Sequence, residues 1–378
     1  MRATLDWGDV QPHTIWREAR EGACPIIAAD DTGLGPGTTY QVLSWDAADA
    51  VLRDADTFSS SINGDHIGQF MGELILAMGG EEHRKYRNLV AKAFRASQLE
   101  RWDDTLVRPT IDRLLDEIAP LGRADLVAAV TSRYPVEVIC GIVGVPIEDA
   151  ARFAQWAEEI NMGPLAPEAG HRASDAMVEY LRPLVEARRA EPTGDFLSDL
   201  VNAEIDGERL TDGKIYGFLR LLLPAGAETT FRVMGNALHA LLTRPDVLAT
   251  VTADRSLLPE VIEETLRFET SITMVSRVAA RDTEIAGCPI AAGSPITVGT
   301  SSANRDVARW DDPDEWRLGR PVQHHLAFGT GAHQCLGMHL ARLELRVGLD
   351  AVLDRLPGLR LDPDRAGDAV IEGYAFRG

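Results

Sequence analysis

The chain carries four cysteines, Cys24, Cys140, Cys288 and Cys335, far apart and with no C-x-x-C pair. That spacing indicates neither a zinc knuckle nor a disulfide framework. One of them has unusual surroundings, Phe328-Gly329-Thr330-Gly331-Ala332-His333-Gln334-Cys335-Leu336-Gly337. Two glycines make a tight turn, and apolar spacing predicts a helix over 336–356. Cys335 then sits at a helix N-terminus, where free N–H groups and the positive end of the dipole favour a thiolate. A thiolate can ligate a metal or attack an electrophile. Residue types alone leave three roles open: a metal ligand, a nucleophile with His333 or His325 as base, or a structural cysteine. A nucleotide-binding loop fits less well, because Gln334 stands where G-x-G-x-x-G needs its last glycine.

A second group of polar residues interrupts an apolar stretch, Leu221-Leu222-Leu223-Pro224-Ala225-Gly226-Ala227-Glu228-Thr229-Thr230. Apolar periodicity predicts a helix over 213–243, with Thr211-Asp212 as its cap and Pro245 as its stop. About 30 residues at ~1.5 Å each cross a whole domain. Pro224 and Gly226 both weaken a helix interior. Two outcomes are open: a kinked core helix with a solvated polar edge, or a local bulge that holds a polar site.

The elements that must position these groups are mostly helical. Three- and four-residue apolar spacing marks helices over 99–118, 173–187, 213–243, 257–268 and 336–356. Pro183 weakens the C-terminal half of the second. Strand patterns are short: 39–44, 275–280, 285–290 and 294–300, the last two flanking Gly293 as a hairpin would. Residues 162–170 read as a loop, and 59–80 as an irregular stretch. The fold class is therefore mainly α with small β-sheets. Length alone, 378 residues, suggests two or three domains at about 150 residues each. The helix pattern instead fits a single domain over residues 1–378.

Composition sets outer limits. Hydrophobic residues are 45% and charged residues 25%, the balance of a globular chain with a full core. The formal net charge is −20, which argues against nucleic acid or an anionic membrane as main partner. No run approaches the roughly 18 to 20 apolar residues of a membrane span, and the start lacks a signal-peptide core. The expected location is cytoplasmic.

The cysteine segment F-G-x-G-x-H-x-C-x-G resembles the haem-binding loop of the cytochrome P450 family, with Phe328, Gly329, Gly331, His333, Cys335 and Gly337 at its fixed positions. Four further segments resemble that family in order. His83-Arg84-Lys85-Tyr86-Arg87 is similar to its H-x-x-x-R, and Ala225-Gly226-Ala227-Glu228-Thr229-Thr230 to its A-G-x-[DE]-T-[TS]. Glu264-Thr265-Leu266-Arg267 is similar to E-x-x-R, and Ala303-Asn304-Arg305-Asp306 with 313–320 to the segment before the loop. A Glu–Arg pair one turn apart means little alone. The ordered set is what carries the resemblance.

The resemblance implies the cytochrome P450 fold, with a long central helix over a haem b whose iron is held by Cys335. It implies thiolate donation to that iron. Haem contacts are expected from Ala225, Gly226, Phe328, Gly329 and Gly337. The propionates need cationic or hydrogen-bonding partners, and the matching positions are His83, Arg87, Arg277 and His333, with His325 a weaker candidate. Glu228 and Thr229 resemble the acid–alcohol pair that supplies protons for dioxygen activation. Glu264, Arg267 and Arg320 resemble a folding network. The family's bacterial form usually has Asp where Arg317 stands. Substrate-facing segments would map to 61–76, 162–172, 221–225 and 270–275. Phe70, Met71, Leu74, Ile272 and Met274 suggest a small, largely apolar substrate. The last six residues read as stopping short of a final strand.

The implied activity is monooxygenation, with O2 and electrons from a ferredoxin or flavodoxin and its reductase. Such donors are acidic, and so is this chain. Between positions 83 and 95, however, Arg84, Lys85, Arg87, Lys92 and Arg95 occur with no acidic residue. Arg84, Lys85, Lys92 and Arg95 are therefore the expected docking patch. Two rival readings remain: oxidative coupling, desaturation or peroxide-driven oxidation on the same haem-thiolate, or a protein that binds haem without catalysis or uses the cysteine without haem.

Overall fold

The protein is described from a computed structural model, over residues 12–22, 26–30 and 37–378. Cys24 lies outside the described residues. The chain forms two compact units that alternate along the sequence. The first is Met1–Ile62, Asn236–Cys335 and Leu361–Gly378, and the second is Asn63–Gly235 and Leu336–Arg360.

The first unit is built on short β-branched segments. Five of its described strands form one sheet in the order Ile26–Ala29, Thr39–Val42, Pro295–Val298, Val275–Ala279, Phe58–Ser59. Thr39–Val42 runs parallel to Pro295–Val298, and the other pairings are antiparallel. Val275, Val278, Ile296 and Val298 suit a pleated, half-buried surface, and Pro295 takes the strand start, where proline does least harm. Alternation buries Arg277 and Ala279 on one face of their strand. Helix Trp45–Arg53 covers the sheet with Trp45, Ala48, Val51 and Leu52, against Val42, Ile296 and Val298.

The strand expectation over 285–290 is corrected. Thr283–Ile285 and Cys288–Ile290 form their own two-stranded hairpin. Ala286 and Gly287 both take positive φ, 48° and 82°, as a two-residue hairpin loop requires. Gly293 turns the chain too, but Pro295–Val298 then pairs with Val275–Ala279 and Thr39–Val42. The chain end forms no strand but is tied down by an isolated bridge. Phe376 bridges Ile272, and Arg377 donates its N–H to the Ser271 carbonyl at 2.9 Å.

The second unit is helical. The segment 99–118 is not one helix. Ala96–Trp102 and Arg108–Ile118 are joined by a π-helical turn, Asp103–Val107. Pro109 has no N–H for the Thr105 carbonyl, and the wider turn takes up the mismatch. Pro183 causes no break, since Pro167–Ala190 is continuous, and the loop before it ends at Ala166. Segment 59–80 holds two short helices, Ile62–His66 and Gly68–Met71, and a 3-10 turn Ile75–Ala77. Helix Met338–Arg355 begins two residues later than its apolar spacing suggests.

The long helix Asp212–Leu242 runs 31 residues, up to Gly235 in the second unit and beyond it in the first. The Thr211 hydroxyl accepts from the Lys214 N–H at 3.4 Å as a cap, and the next helix opens on Pro245. Pro224 and Gly226 do not interrupt it. Among the described residues no helix is long and apolar enough to cross a membrane.

Candidate active site

The cysteine loop belongs to the first unit and is fastened by its own backbone. The Cys335 N–H donates to the Phe328 carbonyl at 2.8 Å, and Gly329 N–H to Leu326 at 2.9 Å. Gly329 and Gly331 have φ of 62° and 73°, which only glycine adopts cheaply. At Gly331 a Cβ would also strike the Leu52 carbonyl, so the loop lies directly on helix Trp45–Arg53. Phe328 is half-buried and the Cys335 side chain is exposed. Cys140 is the opposite case: burial, with Glu137 next, pushes its thiol up to about 12. Gly337 is the N-cap of helix Met338–Arg355, so Cys335 sits two residues ahead of the cap rather than in the first turn.

A polar network holds the loop from below. Glu264 and Arg267, one turn apart on helix Leu258–Phe268, are buried and doubly bonded, Nε to Oε2 and Nη2 to Oε1, both at 2.8 Å. Arg320 Nε donates to Glu264 at 2.9 Å. Arg317 joins through its backbone N–H at 3.0 Å, while its side chain turns to Asp312 at 3.2 Å. The expected trio is therefore assembled despite the unusual residue at 317. Arg267 also donates to the carbonyls of Asn304 and Pro313, at 3.0 and 2.9 Å. The Asn304 side chain, fully buried, accepts from the Leu326 N–H at 2.7 Å and donates to Thr270 at 3.0 Å. Asn304 thus ties the folding network to the cysteine loop. The sequence motif included it without revealing that task.

Arg277 is the informative cation. It is 4% exposed, and among the described residues its one hydrogen bond goes to the neighbouring Ser276 carbonyl at 2.7 Å and no carboxylate pairs with it. Burial alone pulls its guanidinium down to about 10. A buried cation without an anion is costly, and a haem propionate is the kind of anion it fits. His333 lies in the same unit, with Nε2 at 2.9 Å from the buried Ser60 hydroxyl. Nothing in the sequence marked Ser60. His325 is engaged otherwise: Nε2 meets Glu263 at 3.0 Å, and Nδ1 accepts the Ala327 N–H at 3.3 Å. Both ring nitrogens are thus engaged in fastening the loop.

The second unit holds His83, Arg87, Ala225, Gly226, Glu228, Thr229 and Gly337. His83 and Arg87 share one face of helix Gly80–Ala91 at i, i+4. Burial, then the Arg87 charge, holds the His83 imidazole below its ordinary value, which favours the neutral form. Ala225 is exposed on the long helix, with Thr229 one turn on and half-buried. The Thr229 hydroxyl donates to the Ala225 carbonyl at 2.7 Å, so the site is built on regular helix and not on a bulge. Gly226 has a packing role: a Cβ there would come 3.0 Å from Ile139 Cγ1 of helix Tyr134–Val143. Glu228 is held by Arg232, whose Nε donates at 2.8 Å. Sequence reading missed Arg232, although i, i+4 spacing signals such a pair.

Other expectations shift. Phe70 is fully buried, and Met71 and Leu74 nearly so, while Ile272 and Met274 are half-buried. Of the basic patch, Arg84, Lys85, Lys92 and Arg95 are all exposed. Lys85, however, is spoken for by Asp206 at 2.8 Å and Glu81 at 3.5 Å.

The cytochrome P450 family profile matches residues 32–357, and the chain belongs to that family. Cytochrome P450 107B1 of Saccharopolyspora erythraea is 38% identical over 328 residues, 86% of this chain and 77% of that protein. Mycinamicin IV hydroxylase/epoxidase of Micromonospora griseorubida is 35% identical over 308 residues, 80% of this chain and 77% of the other. Among solved structures, HmtN, a post-tailoring hydroxylase involved in himastatin biosynthesis, superposes with a TM-score of 0.82 at 33% identity, covering 98% of this chain and 95% of that one. The family is one of haem-carrying oxidoreductases, and the helix-rich fold with small sheets is its fold.

Proposed function

We propose that this protein is a haem b monooxygenase that inserts one atom of O2 into a C–H bond of a small, largely apolar compound of secondary metabolism. In this reading Cys335 ligates the haem iron, and Arg277, His333, His83 and Arg87 receive the propionates. The bound haem supplies the activation of O2. The chain supplies the pocket and the protons. Phe328, Gly329, Gly337, Ala225 and Gly226 offer small or apolar surface to the macrocycle. The Thr229 hydroxyl orients a proton donor, and Glu228 carries protons inward from solvent. The observation that carries the reading is the pairing, in one unit, of an exposed Cys335 thiol on a fastened loop with a buried Arg277 that has no carboxylate partner among the described residues.

Mycinamicin IV hydroxylase/epoxidase and HmtN carry hydroxylation in their names, and the first also carries epoxidation. Attack on a C=C bond is therefore a second product class for the same site. Electrons would come from NAD(P)H through a reductase and an acidic ferredoxin or flavodoxin in the cytoplasm, with Lys92, Arg95 and Arg84 as the docking cations. The test is product formed per NADH consumed. Glu228→Gln and Thr229→Ala should each lower it by about tenfold or more while NADH consumption continues. Wild-type coupling in both variants would remove the pair from its assigned role.

A further inference from the structure

Three segments of the second unit meet at one buried point. The ring of Phe70, from helix Gly68–Met71, is wedged against the turn before helix Pro167–Ala190. A Cβ on Gly163 would come 2.8 Å from the ring, and one on Gly170 2.9 Å from it. His171 stacks on the same ring with centroids 4.7 Å apart. The Phe70 carbonyl accepts from the Ser174 hydroxyl at 2.5 Å, and Ser174 Oγ in turn accepts from Arg220 Nη1 at 2.8 Å. Arg220 stands on the long helix, and its only other hydrogen bond among the described residues goes to the Tyr216 carbonyl at 3.3 Å. Among the described residues no carboxylate pairs with it, and burial, opposed by the Asp175 charge, lowers its guanidinium from the ordinary value. Gly72, at φ 82°, leaves room for that guanidinium, since a Cβ there would strike Nη2.

This arrangement is more than packing. A half-buried guanidinium costs free energy, and an apolar side chain could fill its place. Here its shorter hydrogen bond goes to a hydroxyl, which passes the bond to the main chain of the Gly68–Met71 helix. Arg220 lies one residue before 221–225, and Phe70 and Gly163 to Ser174 lie in or beside two other stretches assigned to substrate. We infer that Arg220 is a positioning residue: through Ser174 it latches the Phe70 segment against the turn at 162–166, and so sets how readily bulky compounds reach the site. The claim about access rests on the function proposed above. The latch itself does not.

Two measurements test it. In hydrogen exchange, Ser174→Ala and Arg220→Met should each raise exchange of amides in 68–74 by about tenfold, the loss of one charge-assisted bond. Helix Met338–Arg355 should keep its wild-type rates, and Arg220→Lys, which can still donate to Ser174, should restore protection. In stopped flow with the haem-loaded protein, binding of 4-phenylimidazole should accelerate in Ser174→Ala while binding of imidazole does not. Unchanged exchange at 68–74 in both variants would overturn the latch. Changed exchange with equal acceleration of both azoles would overturn its role in selecting by size. If neither azole perturbed the visible spectrum of the wild type, the haem reading would fall while the exchange result stood.

Discussion

Arg267 and Arg277 lie in the same unit, one on a helix and one on a strand, and both are almost fully buried. Arg267 has a bidentate carboxylate, three carbonyls and a neighbouring Arg320 that shares Glu264. Arg277 has one carbonyl, from its own neighbour. The first charge is satisfied by the protein, and the second is left for something else. A buried arginine whose charge the fold completes contributes to folding, whereas Arg277 fits the proposed role of receiving an anion that the fold does not supply.

That contrast orders the expected effects. The largest belongs to Glu264→Gln, which leaves Arg267 and Arg320 buried without a carboxylate. Urea unfolding should show a loss of about 3–5 kcal/mol, and a loss below about 1 kcal/mol would mean that the network behaves as a surface pair. Arg277→Leu should act in the opposite sense on the haem-free chain. Removing an uncompensated cation should leave its stability unchanged or raise it by up to about 3 kcal/mol. The same variant should retain haem poorly, read as the Soret-to-protein absorbance ratio after dialysis. An Arg277→Leu protein that is as unstable as Glu264→Gln and holds haem normally would erase the distinction.

Two buried carboxylates repeat the contrast. Glu269 binds His13, Arg305 and Arg377 and is held down at about 2, although burial opposes this. Glu344 is buried with its Oε2 unbonded, and burial pushes it well above the ordinary range. The signs differ accordingly. Glu269 stabilises the fold above the ordinary carboxylate range, and that contribution fades as the pH falls toward 2. Glu344 costs nothing at low pH and costs progressively more as the pH rises past the ordinary range. Glu344→Gln should therefore be more stable than wild type at pH 8 and equal to it at pH 4 in thermal melts. A difference independent of pH would show that Glu344 titrates alike in the folded and the unfolded chain. The smallest effect is expected at the surface. Lys92→Glu with Arg95→Glu should slow ferredoxin-driven reduction at low salt only, since exposed charges steer association and are screened. Equal slowing at high salt would point to lost packing.

The motifs were legible because their chemistry fixes residue type and spacing: Cys335 between glycines, Glu264 and Arg267 one turn apart, Glu228 beside Thr229. The long helix was legible from periodicity, to within a residue at each end. What was illegible depends on partners distant in sequence. Ser60 meets His333 across 273 positions, and Asn304 reaches Leu326, with no local pattern to announce either. Local propensity misled at 285–290, where Ala286 and Gly287 fold a hairpin inside one apolar run, and at 99–118, where Pro109 forces a wider turn. The Arg277 position was legible by resemblance, but its lack of an anion became visible only with coordinates.

In the proposed reading Cys335 ligates a haem and Arg277 receives one of its propionates. The absorption spectrum of the dithionite-reduced, CO-treated protein tests it most directly, in wild type and in Cys335→His. Wild type should give the strongly red-shifted Soret band of a thiolate-ligated haem, and Cys335→His should give the shorter-wavelength band of imidazole ligation at comparable haem content. A wild-type spectrum without a Soret band, or one that Cys335→His leaves unchanged, would contradict the account.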